Sequence, residues 1–477
     1  MDAKNTQLRI FFFPFMAQGH SIPAIDMAKL FASRGADVAI ITTPLNAPLL
    51  AKSINKPNHS GREIELLIIN FPSEAVGLPD GCESLDLARS PEMFQSFFRA
   101  TTMLEPQIDR ILDRHRPHCL VADTFFPWTT DLAAKYGIPR VVFHGTCFFA
   151  LCAAASIIAN RPYKKVSSDL EPFVIPDLPD EIKLTRSQVP GFLKEEVETD
   201  FIKLYWASKE VESRCYGFLI NSFYELEPAY ADYYRDVLRR RAWHIGPLSL
   251  YSNVEEDRVQ RGSSSSIDEH QCLKWLDSKN PDSVLYISFG TLASLTNSQL
   301  LEIAKGVEAT GQNFIWVVKK EKSDQEEWLP EGFEKRIEGK GLIIRGWAPQ
   351  VLILDHPSIG GFVTHCGWNS ALEGVTAGVP MVTWPNSAEQ FYNEKLITDV
   401  LRIGVGVGAL YWGRAGKDEI KSEAIEKAVN RVMVGEEAEG MRSRAKALGI
   451  QARKAIEEGG SSSSDLNAFF EDLRSRI

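Results

Sequence analysis

The sequence predicts an α/β protein of two Rossmann-like, doubly wound domains facing each other across a cleft, and three observations carry that prediction. Through the first half of the chain, short apolar runs ("RIFFF", "DVAIITT", "CLVAD", "RVVFH", "GFLIN") alternate with helical patterns, as in a parallel sheet covered by helices. The alternation stops at "YSNVEEDRVQRGSSSSIDEHQ", residues 251–271, whose charges and serine run suit an exposed linker. It then restarts with "SVLYISFG", "NFIWVVK", "GLIIRGW", "GGFVTH" and "VPMVTWP". At 477 residues the chain is also too long for one core of ordinary size. The expected units are an N-terminal domain over residues 1–250, the linker 251–271, a second domain over 272–458, and a terminal segment 459–477 read as an amphipathic helix capped by Asp465.

The first unit illustrates the assignment. "LRIFFF" reads as a strand, "PFMAQGH" as a loop, "SIPAIDMAKLFASRG" as a helix closed by Gly35, and "ADVAIITTP" as the next strand. The apolar run near the start is broken too soon by Pro14 for a signal peptide and reads as a buried strand. Residues 141–159, "VVFHGTCFFALCAAASIIA", barely reach membrane-spanning length and carry His144, Gly145, Thr146 and Ser156. A strand, a loop and a buried helix account for them better.

Composition narrows the function. With 44% hydrophobic and 24% charged residues the chain has the balance of a soluble globular protein, and its net charge of -10 argues against nucleic acid as a partner. The seven cysteines are scattered and form no CxxC pair, so neither a zinc site nor a disulfide framework is indicated and a reducing cytosol is expected. The chain has no Walker motif and no GxGxxG after its first strand, which disfavours an ATPase or a dinucleotide oxidoreductase. It has no DxD either, so no metal is expected on a diphosphate.

The chemistry concentrates in "WAPQVLILDHPSIGGFVTHCGWNSALEGVTAGVPMVTWPNSAEQ", Trp347 to Gln390. In open parallel sheets, ligands bind beyond the carboxyl ends of the strands, and three predicted strands end at Trp347, at His365 and just before "PNSAEQ". The loop "HCGWNS" feeds a helix whose free amides and positive dipole end suit a phosphate or diphosphate. His365, Asn369, Ser370 and, from a neighbouring loop, Thr291 can donate further hydrogen bonds to it. Glu373, one turn into the helix, suits the paired hydroxyls of a ribose, and Trp347 offers a flat face to a base. Glu389 and Gln390 can hold further hydroxyls, with Trp368 as an apolar wall. Base, ribose, diphosphate and sugar together describe a nucleotide sugar.

A second constellation belongs to the first domain. His20 follows the first strand and its loop at the start of a helix, and Asp123 closes the strand "CLVAD" on the same predicted edge. A histidine can take a proton from an acceptor hydroxyl near neutral pH while an aspartate orients it and stabilises the imidazolium. The spacing is equally compatible with a helix-capping histidine and an ordinary strand-end aspartate.

The stretch from Trp347 to Gln390 resembles the signature box of plant family 1 UDP-dependent glycosyltransferases, and the similarity extends over essentially the whole chain, including "FFPFMAQGHSIPAIDMAKLFASRG" and "FHGT". The flavour is that of the group acting on flavonoids and triterpenoids. The resemblance implies a GT-B fold with the acceptor bound by the first domain, residues 1–250, the UDP-sugar donor held mainly by the second, residues 272–458, and a last helix, residues 459–477, crossing back onto the first. It assigns "GHSIP" and "VADTFFPW" to the catalytic His20 and its partner Asp123, places Thr146 near the donor sugar, and includes Ala348, Gln350 and Gly367 in the donor set. Trp368 and Gln390 go with UDP-glucose in the family. Ala371 and "PNS" (Pro385 to Ser387) depart from its usual pattern, the second on the acceptor side of the sugar pocket.

The implied reaction is inverting transfer of glucose from UDP-glucose, a co-substrate, to a small lipophilic metabolite, by an enzyme expected to be a monomer without cofactor or metal. An apolar planar acceptor would suit a pocket using some of the phenylalanines, with Phe94, Phe125, Phe126 and Phe148 as candidates and the rest as core. His59, His115, His118, His144, His244, His270 and His356 read as structural or exposed. The residues leave open a nucleotide-sugar epimerase or hydrolase, a non-catalytic sensor, and transfer of another hexose or to carbon.

Overall fold

The computed structural model describes residues 7–54, 63–194, 197–251, 269–290, 295–319, 328–413 and 419–477. Most of the expected linker 251–271 lies outside the described residues, as do Thr291 and His59.

Among the described residues thirteen strands form two wholly parallel sheets. The first contains β1 (Arg9–Phe13), β2 (Asp37–Thr42), β3 (Glu65–Ile68), β4 (Cys119–Asp123), β5 (Arg140–Phe143), β8 (Gly217–Ile220) and β9 (Ala242–His244), and a small antiparallel hairpin of β6 (Pro172–Val174) and β7 (Lys183–Thr185) stands apart from it. The second contains β10 (Val284–Ser288), β11 (Asn313–Val318), β12 (Gly341–Arg345), β13 (Ile359–Thr364), β14 (Met381–Thr383) and β15 (Gly404–Gly406). Their orders are β3-β2-β1-β4-β5-β8-β9 and β12-β11-β10-β13-β14-β15. Each sheet therefore reverses direction once, between β1 and β4 and between β10 and β13. Such switch points open a crevice beyond the carboxyl ends of the strands. Central strands such as β4, β10 and β13 are buried along their whole length, which explains their unbroken apolar runs.

Several elements differ from their expected bounds. The first helix spans Gln18–Ser33, so His20 lies within its first turn and not in the preceding loop. Ala17 cannot cap this helix, and Asp86, far along the chain, accepts from the Gln18 amide at 2.7 Å instead. Pro23 sits inside the helix beyond the first turn, where a missing N–H costs about 3 kcal/mol. Residues 141–159 divide into the end of β5, a loop and the buried helix Phe148–Asn160. Among the described residues no helix is long and apolar enough to cross a membrane.

The last helix, Ser461–Arg474, packs on the first sheet's core: the Phe469 ring lies 5.7 Å from Phe31 and 5.0 Å from Trp243. Asp465 is not its cap. Gly460 holds that position, and Asp465 sits inside the helix, accepting from Arg235 Nη2 at 2.6 Å and the His244 amide at 2.8 Å.

Candidate active site

Both switch points open onto one cleft of about 1520 Å³, lined from both sheets' carboxyl edges. On the first side, β1 leads to His20 and β4 ends at Asp123, adjacent strands by register. His20 Nδ1 lies 2.7 Å from Asp123 Oδ2. The imidazole is 25% exposed and lines the cleft, whereas the carboxylate is wholly buried behind it. The other carboxylate oxygen accepts from the Phe125 amide at 3.0 Å, which fixes the group's orientation. Burial pulls the His20 pKa down, but the charge and hydrogen bond of Asp123, with help from Glu389 and Asp86, outweigh it and leave the pKa above 6.5. With Nδ1 held by the carboxylate, Nε2 is the nitrogen left to take a proton. Behind the pair, buried Arg140 donates to the Asp123 backbone carbonyl at 2.9 Å and so ties the end of β4 to β5.

On the second side, the helix Trp368–Ala377 starts at Gly367, which offers no side chain to cap it, and its first turn lines the cleft, with the Trp368 amide donating to the Glu389 carboxylate. His365 stands at the end of β13 between two glycines. A Cβ at Gly290 would come within 2.5 Å of its ring, and one at Gly367 within 2.4 Å. Gly290 also has φ +70, a conformation that favours glycine. Burial, reinforced by Lys319, lowers the His365 pKa to about 4, so this imidazole is neutral near pH 7. Its buried Nδ1 has no partner among the described residues.

Gln350 joins the set: its Nε2 donates to Glu373 Oε2 at 2.7 Å and to Ser370 Oγ at 3.0 Å. Trp347 and Ala348 line the same part of the cleft. After β14, a turn that puts Ala388 at φ 52 presents Glu389 and Gln390. The Gln390 carbonyl oxygen accepts from the Asn386 and Ser387 amides at 2.8 and 2.9 Å, which leaves its NH2 as a donor. Burial raises the Glu389 pKa. Thr146 lines the cleft from the first side, and its buried hydroxyl has no partner among the described residues.

Two hydrogen bonds join the halves through this helix start: Trp368 Nε1 donates to Asn221 O at 2.7 Å, and Asn369 Nδ2 donates to Gly19 O, also at 2.7 Å. Trp368 is thus a bridging donor as well as a wall.

The aromatic side of the cleft corrects part of the sequence reading. Phe94 and Phe125 line it, with Phe192, Phe201, Tyr205 and Trp412. Phe126 and Phe148 do not. Phe126 is fully buried and stacked 3.9 Å from Phe13, and Phe148 is fully buried against Tyr234 and His244. Among the other histidines, His144 faces Glu212, His244 faces Asp465, and His356 faces Asp277.

Phe192, Phe201, Tyr205, Trp412, Asn393 and Asp86 escaped the sequence reading. Trp412 belongs to the second half yet meets Phe192 at 5.7 Å, and its indole N–H donates to Ala388 O at 2.9 Å. Asn393, buried, donates to Cys366 O at 2.8 Å and Glu389 Oε1 at 3.3 Å. Asp86 anchors the start of the helix that carries His20 by accepting from the Gln18 amide. Only the position of Asn393, one turn past Glu389, carried a hint of its role in the sequence.

Comparison with known proteins bears on the same cleft. The family model described as UDP-glucoronosyl and UDP-glucosyl transferase matches residues 110–439. The chain is 59% identical to UDP-glucose flavonoid 3-O-glucosyltransferase 7 of Fragaria ananassa, over 99% of this chain and 98% of that protein. It is 58% identical to scopoletin glucosyltransferase of Nicotiana tabacum, over 98% of each. In structure it is similar to Glycyrrhiza uralensis UGT73P12 complexed with glycyrrhetinic acid 3-O-monoglucuronide, with a TM-score of 0.91 and 41% identity over 98% of this chain and 96% of that one. With two Rossmann-like domains in the GT-B arrangement, the chain belongs to plant family 1 of the UDP-dependent glycosyltransferases and is a UDP-glycosyltransferase.

Proposed function

We propose that the protein transfers glucose from UDP-glucose to a hydroxyl of a small lipophilic plant metabolite, a flavonoid, another phenolic or a triterpenoid, with inversion to a β-glucoside. The observation that carries this reading is the placement of the His20–Asp123 pair and the helix start at Gly367 on opposite walls of one cleft. The names of the Fragaria and Nicotiana relatives support glucose as the sugar and phenolics as acceptors.

In this reading Trp347 and Ala348 take the base, and Glu373 with Gln350 the ribose. His365, Asn369, Ser370 and the helix amides take the diphosphate, joined by Thr291, which lies outside the described residues. Thr146, Glu389 and Gln390 take the hexose. Phe94, Phe125, Phe192 and Trp412 would flank the acceptor. His20 Nε2 removes the acceptor proton as the oxygen attacks the anomeric carbon from the face opposite UDP. Asp123 stabilises the imidazolium. The bond from the anomeric carbon to the diphosphate oxygen breaks, and its electrons leave with UDP. We also propose that no metal takes part, that the protein acts as a monomer, and that it resides in the cytosol, where its seven free cysteines would stay reduced.

The test is incubation with UDP-glucose and a panel of flavonols, coumarins and triterpenes, with and without EDTA, with products read by mass and anomeric configuration by NMR. A β-glucoside formed equally in EDTA is expected. Free glucose without a glucosylated acceptor would mark a hydrolase, and an α-glucoside would remove the single displacement.

A further inference from the structure

The carbonyl gripped by Asn369 belongs to the peptide bond joining Gly19 to His20, the proposed base. In an uninterrupted helix this carbonyl would accept the N–H of the residue four positions on. That residue is Pro23, which has no N–H and whose ring crowds the carbonyl four positions back. The acceptor capacity of Gly19 O is thereby turned out of the helix, toward the opposite domain. Its partner, Asn369, is the second residue of the helix whose first turn is proposed above to hold the diphosphate.

We infer that Pro23 is a positioning residue: by withholding a helical hydrogen bond it reserves Gly19 O for Asn369, and this bond locks the two domains together with His20 in register with the donor. The inference rests on the reading of the cleft as a transfer site. One hydrogen bond thus ties the peptide of the base to the start of the donor helix, so closure of the cleft and alignment of the base become one event. Pro23 is buried and is not among the residues lining the cleft, which separates its effect from direct binding.

Pro23→Ala restores an N–H that competes for Gly19 O. It is expected to keep UDP affinity and to melt at or above the wild-type temperature, because an ordinary helical bond is regained. Its kcat/KM for the acceptor should fall about three- to tenfold, the scale of one hydrogen bond. Asn369→Ala should lose this and its own donor contact, and Pro23→Ala added to it should cost nothing more, because both changes act on one bond. Wild-type kcat/KM in Pro23→Ala, or losses that multiply in the double variant, overturns the inference. Small-angle scattering of the UDP complexes keeps the two readings apart. A wild type that transfers nothing sinks the transfer reading, while the lock is then judged by whether UDP-bound Pro23→Ala is more extended than UDP-bound wild type. Identical profiles in that case overturn it.

Discussion

His20 Nδ1 and Asp123 Oδ2 stand 2.7 Å apart, and the carboxylate is sealed from solvent while the imidazole reaches the cleft. The pairing has a consequence for pH. A general base works in its neutral form, and the His20 pKa is raised despite burial, chiefly by Asp123. Activity should therefore rise with pH through a midpoint above 6.5. In Asp123→Asn the raising charge is gone, so the midpoint moves down, and the plateau drops by up to about 10⁴-fold, as when the carboxylate of a Ser-His-Asp triad is changed in the same way. A pH profile of kcat/KM for both proteins checks the direction of each change.

Glu373 Oε2 accepts from Gln350 at 2.7 Å, so the two side chains form one preset acceptor–donor unit at the proposed ribose position. Glu373→Gln keeps the shape but removes the charge. UDP affinity should fall about tenfold or more, the scale of a charged hydrogen bond, with turnover at saturating donor much less affected. Calorimetric titration with UDP alone checks the first half, and initial rates the second.

Gly290 combines φ +70 with an approach to His365 that leaves no room for a methyl group. Gly290→Ala should push the imidazole aside and weaken UDP binding. The left-handed conformation adds about 1–2 kcal/mol of destabilisation. Thermal melts with and without UDP separate the two effects: the variant should melt lower alone and gain less from UDP.

Phe469 is fully buried between Phe31 and Trp243, so the last helix completes the first domain's core. Phe469→Ala should destabilise the protein by about 3–5 kcal/mol. A denaturant midpoint shift of that size is expected, and a midpoint within error of wild type would show that the helix is only draped on the surface.

Much of this site was legible in the sequence because strand-end position is set locally. An apolar run followed by a polar loop puts His20, Asp123, Trp347 and His365 at carboxyl edges whatever the tertiary details. The fates of Phe126 and Phe148 were not legible, since a phenylalanine in a core and one in an acceptor pocket look alike in composition. One stacks on Phe13 and the other packs at a tilt against His244 because of how helices fold over the sheet. Asp465 was misread as a cap because the helix starts four residues earlier, at a serine run that also serves helical geometry. Trp412 and the bonds of Asn369 and Trp368 to the first domain depend on how the halves meet, which periodicity along one chain does not encode.

The central claim, that His20 activates an acceptor hydroxyl for attack on UDP-glucose, is tested most directly by a comparison of wild type and His20→Ala. Both are given UDP-glucose and the best acceptor from the panel, with UDP affinity measured in parallel. Wild type should yield the glucoside and UDP in equal amounts, and His20→Ala should lose about 10²–10⁴-fold in transfer while binding UDP as before. Transfer at the wild-type rate by His20→Ala, or a matching loss of UDP affinity, would contradict the assignment of His20 as the base.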